Sequence, residues 1–190
     1  MARFRASHTR RRKPSLILPP NPPSFMIPWL SLTVLVDNNT LTDRYFLAEP
    51  GLSFLIQTGG KKILFDVGYS DVFLSNAMRM GINLRDLDLV VLSHGHLDHT
   101  WGLVPLVRFL TEAAIEDFPH AVPDLVAHPL CFCPKEKIPL QNIGSILHEA
   151  EARRQFMIHL SAVPVWITDD LVFLGEIPRR FVFEQSDPGK

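Results

Sequence analysis

The chain has 190 residues, 46% of them hydrophobic, which is enough for one domain with its own core and does not fit a disordered protein. No run of about eighteen apolar residues is present, which argues against a membrane-spanning helix. The net charge of −1 hides an asymmetry, because six of the nineteen basic residues lie within the first thirteen positions. The remainder carries thirteen basic and twenty acidic residues, a charge of −7, which argues against a general nucleic-acid binder.

The cysteine content is low. Cys131 and Cys133 are too few for a disulfide framework. Alternate residues of an extended segment point to opposite faces, so these two thiols are not expected to pair with each other. Their spacing is also tighter than that of the usual Cys-x-x-Cys zinc knuckle. We therefore expect two buried free thiols in the core of a cytoplasmic protein.

Residues 1–28 differ in composition from the rest, since they hold the basic cluster, no acidic residue and six of the sixteen prolines. Such a segment cannot build a core, so residues 1–28 are predicted to be a basic, Pro-rich disordered tail and residues 29–190 a single domain. A lack of acidic residues is typical of organelle transit peptides, but the prolines oppose the amphipathic helix that such peptides form. We favour the interpretation that synthesis begins at Met26.

The first predicted elements are strands. In chain order, β-rich runs predict strands at residues 32–36, 53–57 and 62–66. The segment TGGK at 58–61 joins the last two and predicts a hairpin. Ser70 and Asp71 can cap a helix that Gly81 ends. The apolar residues of this helix fall at helical spacing and predict its buried face: Phe73, Leu74, Ala77 and Met78.

A strand at 87–92 follows and runs directly into a histidine-rich segment. Thr100 can then cap a helix that extends to about residue 114, with Pro105 in its first turn. Its apolar face is Leu103, Leu106, Val107 and Leu110. A strand at 124–127, a helix near 146–156 and a hairpin of 163–167 with 171–174 complete the pattern. Because strands and helices alternate, the predicted class is α/β.

The segment SHGHLDHTWG at residues 93–102 places three histidines and one aspartate within six positions. His94 and His96 lie two residues apart in an extended stretch, so both can reach one ion. The chain then turns, and Asp98 and His99 can face a second position close by. Imidazoles with a carboxylate suit Zn(II), or less selectively Fe(II) and Mn(II).

Two such ions, about 3.5–4 Å apart, would share a water, lower its pKa towards ~7 and present hydroxide to an ester or amide. A single histidine in such a place is more often a solvated loop residue, and an aspartate there often caps a helix. Four ligand-type residues where a strand meets a helix favour a metal site instead. Asp98 and His99 are then the candidate catalytic residues.

The segment HGHLDH at 94–99 resembles the HxHxDH signature of the metallo-β-lactamase fold superfamily, and ILFDVG at 63–68 is similar to its upstream strand ending in Asp-x-Gly. Further stretches resemble the subgroup labelled dihydropterin-ribofuranosylaminobenzene-phosphate synthase-like. They are LTVLVDNNT, GLSFLIQTGGKKILFDVG, VAHP and LGEIPR. The resemblance covers most of the chain after Met26.

This resemblance implies a four-layer αβ/βα sandwich with metals between the edges of two sheets, of which the chain would hold the N-terminal half and part of the second half. His94 and His96 would bind the first ion, and Asp98 and His99 the second. Asp66 would orient a metal ligand and fix its tautomer without binding the metal. An ordinary strand-end residue is the alternative role for Asp66.

The chain also departs from the subgroup. Its members continue past LGEIPR into a second half that adds a third histidine to each metal site, from a Gly-Cys-Ser-His segment and a later Gly-Phe-His segment. This sequence contains neither, so the chain is expected to be truncated at its C-terminus. With two ligands for each ion the site would be incomplete, because catalytic zinc ordinarily takes three protein ligands and a water.

Other polar residues are candidates for a pocket. His128 follows a short strand, where the sites of α/β proteins assemble, although a structural role in the turn is the alternative. Asn38 and Asn39 follow the first strand, but both are also common turn residues. Arg179, with Arg180 beside it, could bind a substrate phosphate or could simply be solvated.

The sequence thus predicts a metal-dependent hydrolase, with two Zn(II) ions in the complete family site, that acts on an ester or phosphoester of a small molecule. The alternative is a catalytically incomplete half-domain that exposes apolar sheet surface, and is inactive or needs homo-oligomerisation or a complementing chain. A di-iron redox protein of the same superfamily is a third hypothesis, but the versions compared carry Glu at the position of His96. Neither a membrane nor a nucleic acid is an expected partner.

Overall fold

The structure is a computed structural model that describes residues 29–181. The predicted tail at 1–28 and the last nine residues of the predicted domain therefore lie outside the described residues. The strands form one six-stranded sheet and one two-stranded sheet. Helices alternate with the strands along the chain, which confirms the α/β class. The strands of the larger sheet follow chain order across it, so each strand lies beside its neighbour in sequence.

The first half of the large sheet is antiparallel. It contains β1 (Ser31–Val36), β2 (Ser53–Thr58) and β3 (Lys61–Phe65). Thr58 pairs with Lys61, so the predicted hairpin is confirmed. Both glycines of its two-residue turn have positive φ, 55° for Gly59 and 70° for Gly60, a conformation that glycine adopts at little cost.

The second half of the sheet is parallel. It adds β4 (Leu89–Val91), β5 (Asp124–Ala127) and β6 (Met157–Leu160), each parallel to the strand before it from β3 onward. The carboxyl ends of β3 to β6 consequently meet at one edge, where sites of open α/β sheets form. Asp66 follows β3 at this edge, and the histidine motif follows β4.

Helices cover one face of the large sheet. They are α1 (Val72–Arg79), α2 (Leu97–Thr100), α3 (Leu103–Ile115) and α4 (Glu149–Gln155), with a short 3-10 helix at Pro129–Phe132. Side chains of α1, α3 and α4 bury a common core against alternate residues of the strands. The buried strand residues of that core are Leu35, Val36, Leu55, Leu64, Val90, Leu125, Ala127 and Ile158.

The opposite face of the sheet is covered only in part. A hairpin of β7 (Val165–Trp166) and β8 (Val172–Phe173) packs on the sheet residues of this face at β3 to β5. Towards the edge strand β1 the face is open, and Leu32 and Val34 are 54% and 45% exposed. The predicted exposure of apolar sheet surface is therefore seen at β1.

The structure corrects several predicted details. Thr100 does not cap the third helix; it lies inside α2, where its hydroxyl donates to the carbonyl of His96 over 2.9 Å. Met78 is 73% exposed and does not belong to the buried face of α1. Cys133 is exposed, because the 3-10 helix, and not an extended strand, carries Cys131 inward.

Strand β6 was not predicted at all. The sequence suggested only a helix that ends near residue 156, yet Met157–Leu160 continues directly as a strand. The pairing of β6 with β5 is parallel and long-range, so the local pattern gives no turn signal for it.

Within residues 29–181, the structure contains no helix with the length and the apolar run that crossing a membrane requires.

A buried side chain that the sequence did not single out, Asn76 of α1, ties this helix to β1. Its Nδ2 donates to the carbonyls of Leu35 and Leu47 over 2.7 and 2.9 Å, and its Oδ1 accepts from the backbone N–H of Leu47 over 2.9 Å.

Replacing Asn76 by Ala removes the partners of three backbone groups. Since a buried polar group without a partner costs about 1–3 kcal/mol, we expect Asn76→Ala to lower the free energy of unfolding by about 2–4 kcal/mol in urea titrations. Met78→Ala, on the exposed side of α1, should change it by less than about 0.5 kcal/mol. Equal losses in the two variants would contradict this role of Asn76.

Candidate metal centre

The histidine motif spans the junction between β4 and α2 at the carboxyl edge of the sheet. The backbone of His96 is still extended, with φ −74° and ψ 154°, and α2 begins at the next residue. His94 and His96 therefore belong to the extended stretch, whereas Asp98 and His99 lie in the first turn of the helix. This change of backbone conformation separates His94 and His96 from Asp98 and His99.

The three imidazoles of the motif lie against one another. The ring centroid of His94 lies 4.7 Å from that of His96 and 4.2 Å from that of His99. Nε2 of His94 lies 3.1 Å from Nδ1 of His96. Two nitrogens on one tetrahedral zinc, with bonds of about 2.0–2.1 Å, are about 3.3 Å apart. The spacing of this pair therefore suits two ligands of a single ion.

The second pair has a similar spacing. Nε2 of His99 lies 3.7 Å from Oδ2 of Asp98. These two atoms can be ligands of one ion with a wider angle between the bonds. An imidazole with a carboxylate is a donor set that zinc, iron and manganese accept.

Asp66 orients His99. Its side chain is fully buried and its φ is +54°, an uncommon conformation for a residue other than glycine. Oδ2 accepts from Nδ1 of His99 over 2.7 Å, so Nε2 of His99 is left to face Asp98. Partial burial disfavours the charged form of His99, but the hydrogen bond and the charge of Asp66, with the charge of Asp98, outweigh it and raise the His99 pKa.

Ser93 connects Asp66 to His94, a function that sequence reasoning missed. Its backbone N–H donates to Oδ1 of Asp66 over 2.7 Å, and its hydroxyl lies 2.6 Å from Oδ2 and 2.9 Å from Nδ1 of His94. Partial burial lowers the pKa of His94, and the neighbouring imidazoles of His99 and His96 lower it further. His94 is therefore held in the neutral form that metal binding requires.

The donor atoms fit metal ions as pairs but not as triads. Within the described part of the chain, no three His, Cys, Asp or Glu side chains are arranged to hold one ion together. Each position in the motif thus has two protein donors. Their chemistry and spacing suit a divalent cation, and their number is one short of the three that catalytic zinc ordinarily takes.

The loops around the motif fit closely. A Cβ at Gly51 would lie 2.0 Å from the carbonyl oxygen of Asp98, so this glycine lets the loop before β2 reach the helix. Oδ1 of Asn38 accepts from the backbone N–H of Gly51 over 3.2 Å. Asn38 therefore reaches the motif only indirectly, through the glycine that packs on Asp98. Asn39 is exposed, and the structure gives it no contact with the motif.

Glu49 also holds the edge in place and was not predicted. One carboxylate oxygen accepts from the backbone N–H groups of Tyr69 and Ser70 over 2.9 and 3.0 Å, and the other accepts from the Ser70 hydroxyl over 2.5 Å. These bonds fix the turn that follows Gly68. A lone glutamate before a Pro-Gly turn has no local pattern that indicates such a role.

His128 lies at the same edge, between the end of β5 and the start of the 3-10 helix. Its Nδ1 accepts from the backbone N–H of Leu130 over 3.1 Å, and its Nε2 is buried without a hydrogen-bond partner in the part of the chain that the structure describes. Arg179 and Arg180 lie on an exposed stretch after β8. The structure therefore places His128 at the predicted edge, whereas the two arginines stay predictions.

The two cysteines offer a test of the packing behind the motif. Burial raises the pKa of Cys131 to about 12, while Cys133 is exposed. Since the thiolate is the reactive form, iodoacetamide at neutral pH should modify Cys133 and leave Cys131 unmodified, as read by intact mass and peptide mapping. A Cys133→Ser variant should take up no label until it is unfolded in denaturant. Two native thiols that react at the same rate would contradict the packing.

Comparison with known proteins agrees with the fold. Residues 47–115 match the family model described as the metallo-beta-lactamase superfamily. An uncharacterized protein of Methanocaldococcus jannaschii is 27% identical over 162 residues, which are 82% of this chain and 57% of that protein. From the same organism, 7,8-dihydropterin-6-methyl-4-(beta-D-ribofuranosyl)-aminobenzene-5'-phosphate synthase is 40% identical over 68 residues, 33% of this chain and 23% of the synthase.

Among solved structures, Tm1679, a metal-dependent hydrolase of the beta-lactamase superfamily, matches at a TM-score of 0.57 and 26% identity. The match covers 76% of this chain and 47% of that one. The chain thus spans about half the length of these two relatives. Residues 47–115 thus resemble the metallo-beta-lactamase superfamily, and the described fold resembles that of a metal-dependent hydrolase of this superfamily.

Proposed function

We propose that the chain forms part of a metal-dependent hydrolase in which His94 and His96 hold one divalent ion and Asp98 and His99 hold a second, Zn(II) being the expected metal. The observation that carries the proposal is the presence of two donor pairs, with separations of 3.1 and 3.7 Å, at the carboxyl edge of the sheet. The three imidazoles of the motif lie in contact, and the buried carboxylate of Asp66 orients His99 directly and His94 through Ser93.

The hydrogen bonds around Asp66 set the tautomers of two imidazoles. A carboxylate only accepts, so in the neutral imidazole of His99 Nδ1 carries the proton and Nε2 keeps its lone pair. The one hydroxyl proton of Ser93 is directed to Asp66, so the Ser93 oxygen accepts from Nδ1 of His94. Nε2 of His94 consequently keeps its lone pair as well. Both nitrogens are therefore ready to bind a cation without a change of tautomer.

When bound, a divalent ion in such a site polarises an ester or phosphoryl oxygen and lowers the pKa of a water towards ~7. The residues of the chain provide the position of that chemistry. Asp98 lies in the first turn of α2, and Gly51 packs on its backbone, so its carboxylate is presented from a fixed helix end. Asp66 and Ser93 lie behind the imidazoles and orient them.

The substrate that we propose is a small-molecule ester or phosphoester. The relative whose name includes a 5'-phosphate matches this chain over 68 residues, which supports a phosphoester among the candidates. The solved structure of the metal-dependent hydrolase supports hydrolysis as the reaction class.

A second candidate function rests on the donor count. Because residues 29–181 offer no three side chains arranged for one ion, further donors could come from another polypeptide segment, and the chain alone would then be inactive. The open apolar surface at β1, with Leu32 and Val34 exposed, is consistent with a homo-oligomer or a complementing chain. The two candidates differ in what the isolated 190-residue chain binds and turns over.

Metal stoichiometry and turnover measured on the same preparation separate the two candidates. For a complete hydrolase we expect close to two equivalents of zinc per chain after dialysis, read by mass spectrometry of the metal, with hydrolysis of a phosphodiester such as bis(4-nitrophenyl) phosphate. Less than one equivalent without turnover would favour the chain that needs a complement.

Removal of one donor should weaken binding strongly. His96→Ala leaves His94 as the single donor of its pair, so zinc affinity should fall on the order of 100-fold or more, beyond the 10–100-fold typical of supporting residues. The matched control is His120→Ala, a half-buried position whose Nδ1 lies 2.9 Å from the carbonyl oxygen of Phe118. Zinc binding that survives His96→Ala as well as it survives His120→Ala would refute the assignment.

A further inference from the structure

A loop that follows the 3-10 helix folds back over the histidine motif. We call residues 133–147 the covering loop. Its Gly144 forms an antiparallel bridge with His96, and the backbone N–H of Leu97 donates to the carbonyl of Ile143 over 2.8 Å. Leu97 is the first residue of α2, so its N–H has no partner inside the helix. The covering loop supplies that partner at the point where the motif changes from extended to helical backbone.

Trp101 fastens the covering loop from the helix side. Its indole Nε1 donates to the carbonyl of Gly144 over 2.8 Å. Its ring stacks on Tyr69, with centroids 5.2 Å apart and an interplanar angle of 21°. The backbone N–H of Tyr69 is in turn held by Glu49. Trp101 thus joins the covering loop to the turn after Asp66.

Lys135 fastens the covering loop from the other side. Its ammonium donates to the carbonyls of Leu130 and Cys133 over 2.9 and 3.2 Å, and its own carbonyl accepts from the N–H of Ile143 over 2.8 Å. The ammonium also lies against the motif, since a Cβ at Gly95 would be 2.6 Å from Nζ. The same Cβ would be 2.0 Å from the carbonyl oxygen of Cys131 in the 3-10 helix.

These contacts converge on the boundary between the two donor pairs. His94 and His96 lie before the boundary and Asp98 and His99 after it, so the backbone angles at His96 and Leu97 set how the pairs face each other. Local sequence alone does not fix those angles, because no side chain caps α2. The covering loop fixes them through the bridge of Gly144 with His96 and the hydrogen bond of Ile143 with Leu97.

We propose that Trp101 and Lys135 are positioning residues, which hold the covering loop against the motif and so keep the two donor pairs at the relative orientation that metal binding needs. The proposal rests on the proposed metal function of the motif. It differs from a merely structural role in one respect: metal affinity should depend on these two side chains more than the stability of the metal-free chain does.

The test uses Trp101→Phe, which keeps an aromatic ring for Tyr69 but removes the indole N–H, and Lys135→Met, which keeps the aliphatic stem but removes the ammonium. Zn²⁺ affinity is measured by calorimetric titration of the full chain, and coordination geometry by the visible absorption of bound Co²⁺. We expect each variant to bind Zn²⁺ about 10–100-fold more weakly, as for other residues that support metal ligands, and the Co²⁺ spectrum to shift. The denaturation midpoint of the metal-free chain should stay near that of the controls.

Matched controls are Trp166→Phe, an exposed tryptophan of β7, and Lys137→Met, an exposed lysine of the covering loop. Both should bind Zn²⁺ like the wild type.

Wild-type affinity in both Trp101→Phe and Lys135→Met would overturn the positioning role and leave the metal function standing. Losses of affinity that only follow a loss of metal-free stability would overturn it too. A wild-type chain that binds neither Zn²⁺ nor Co²⁺ would overturn the proposed function, and the positioning role with it. Should Trp101→Phe fail to fold, Lys135→Met decides alone.

Discussion

The buried carboxylate of Asp66 is the constraint on which the motif depends. A buried charge without partners costs several kcal/mol, so the fold must bring donors to it. Asp66 receives the backbone N–H and hydroxyl of Ser93 and Nδ1 of His99. Its own backbone is held too, because its N–H donates to the carbonyl of Val91 and its carbonyl accepts from the hydroxyl of Ser53. One residue therefore connects β2, β3, β4 and α2, and its positive φ is maintained by the bonds on every side.

This single carboxylate sets the orientation of two of the three imidazoles. Asp66 orients His99 directly and His94 through Ser93, and these two imidazoles belong to different donor pairs. The pairs are therefore coupled behind the edge by a hydrogen-bond network and in front of it by the covering loop, through its bridge with His96 and its hydrogen bond with Leu97. Two independent supports act on a segment of six residues, which explains how three imidazoles can remain in contact.

The sequence predicted those parts of the fold that depend on neighbouring residues. The Gly59-Gly60 turn, the amphipathic α3 and the place of the motif between a strand and a helix all follow from local patterns, and the structure confirms them. Features fixed by distant partners were missed. Strand β6 forms because β5 lies beside it, and Asn76 is buried because β1 offers it a carbonyl forty-one positions away. The exposure of Cys133 depends on a 3-10 helix whose start His128 caps, which alternation in an extended segment could not indicate.

The same distinction between local and distant partners limits the donor count. A contiguous segment can place two donors at each of two positions, first by the alternation of an extended chain and then by the turn of a helix, but a third donor for either ion must come from another element. His128 lies at the right edge of the sheet, yet its Nδ1 accepts the N–H of Leu130. In the neutral imidazole Nε2 then carries the proton and is a hydrogen-bond donor, not a metal ligand. In the proposed metal centre, the remaining ligands would therefore be water or substrate oxygen, or side chains from outside residues 29–181.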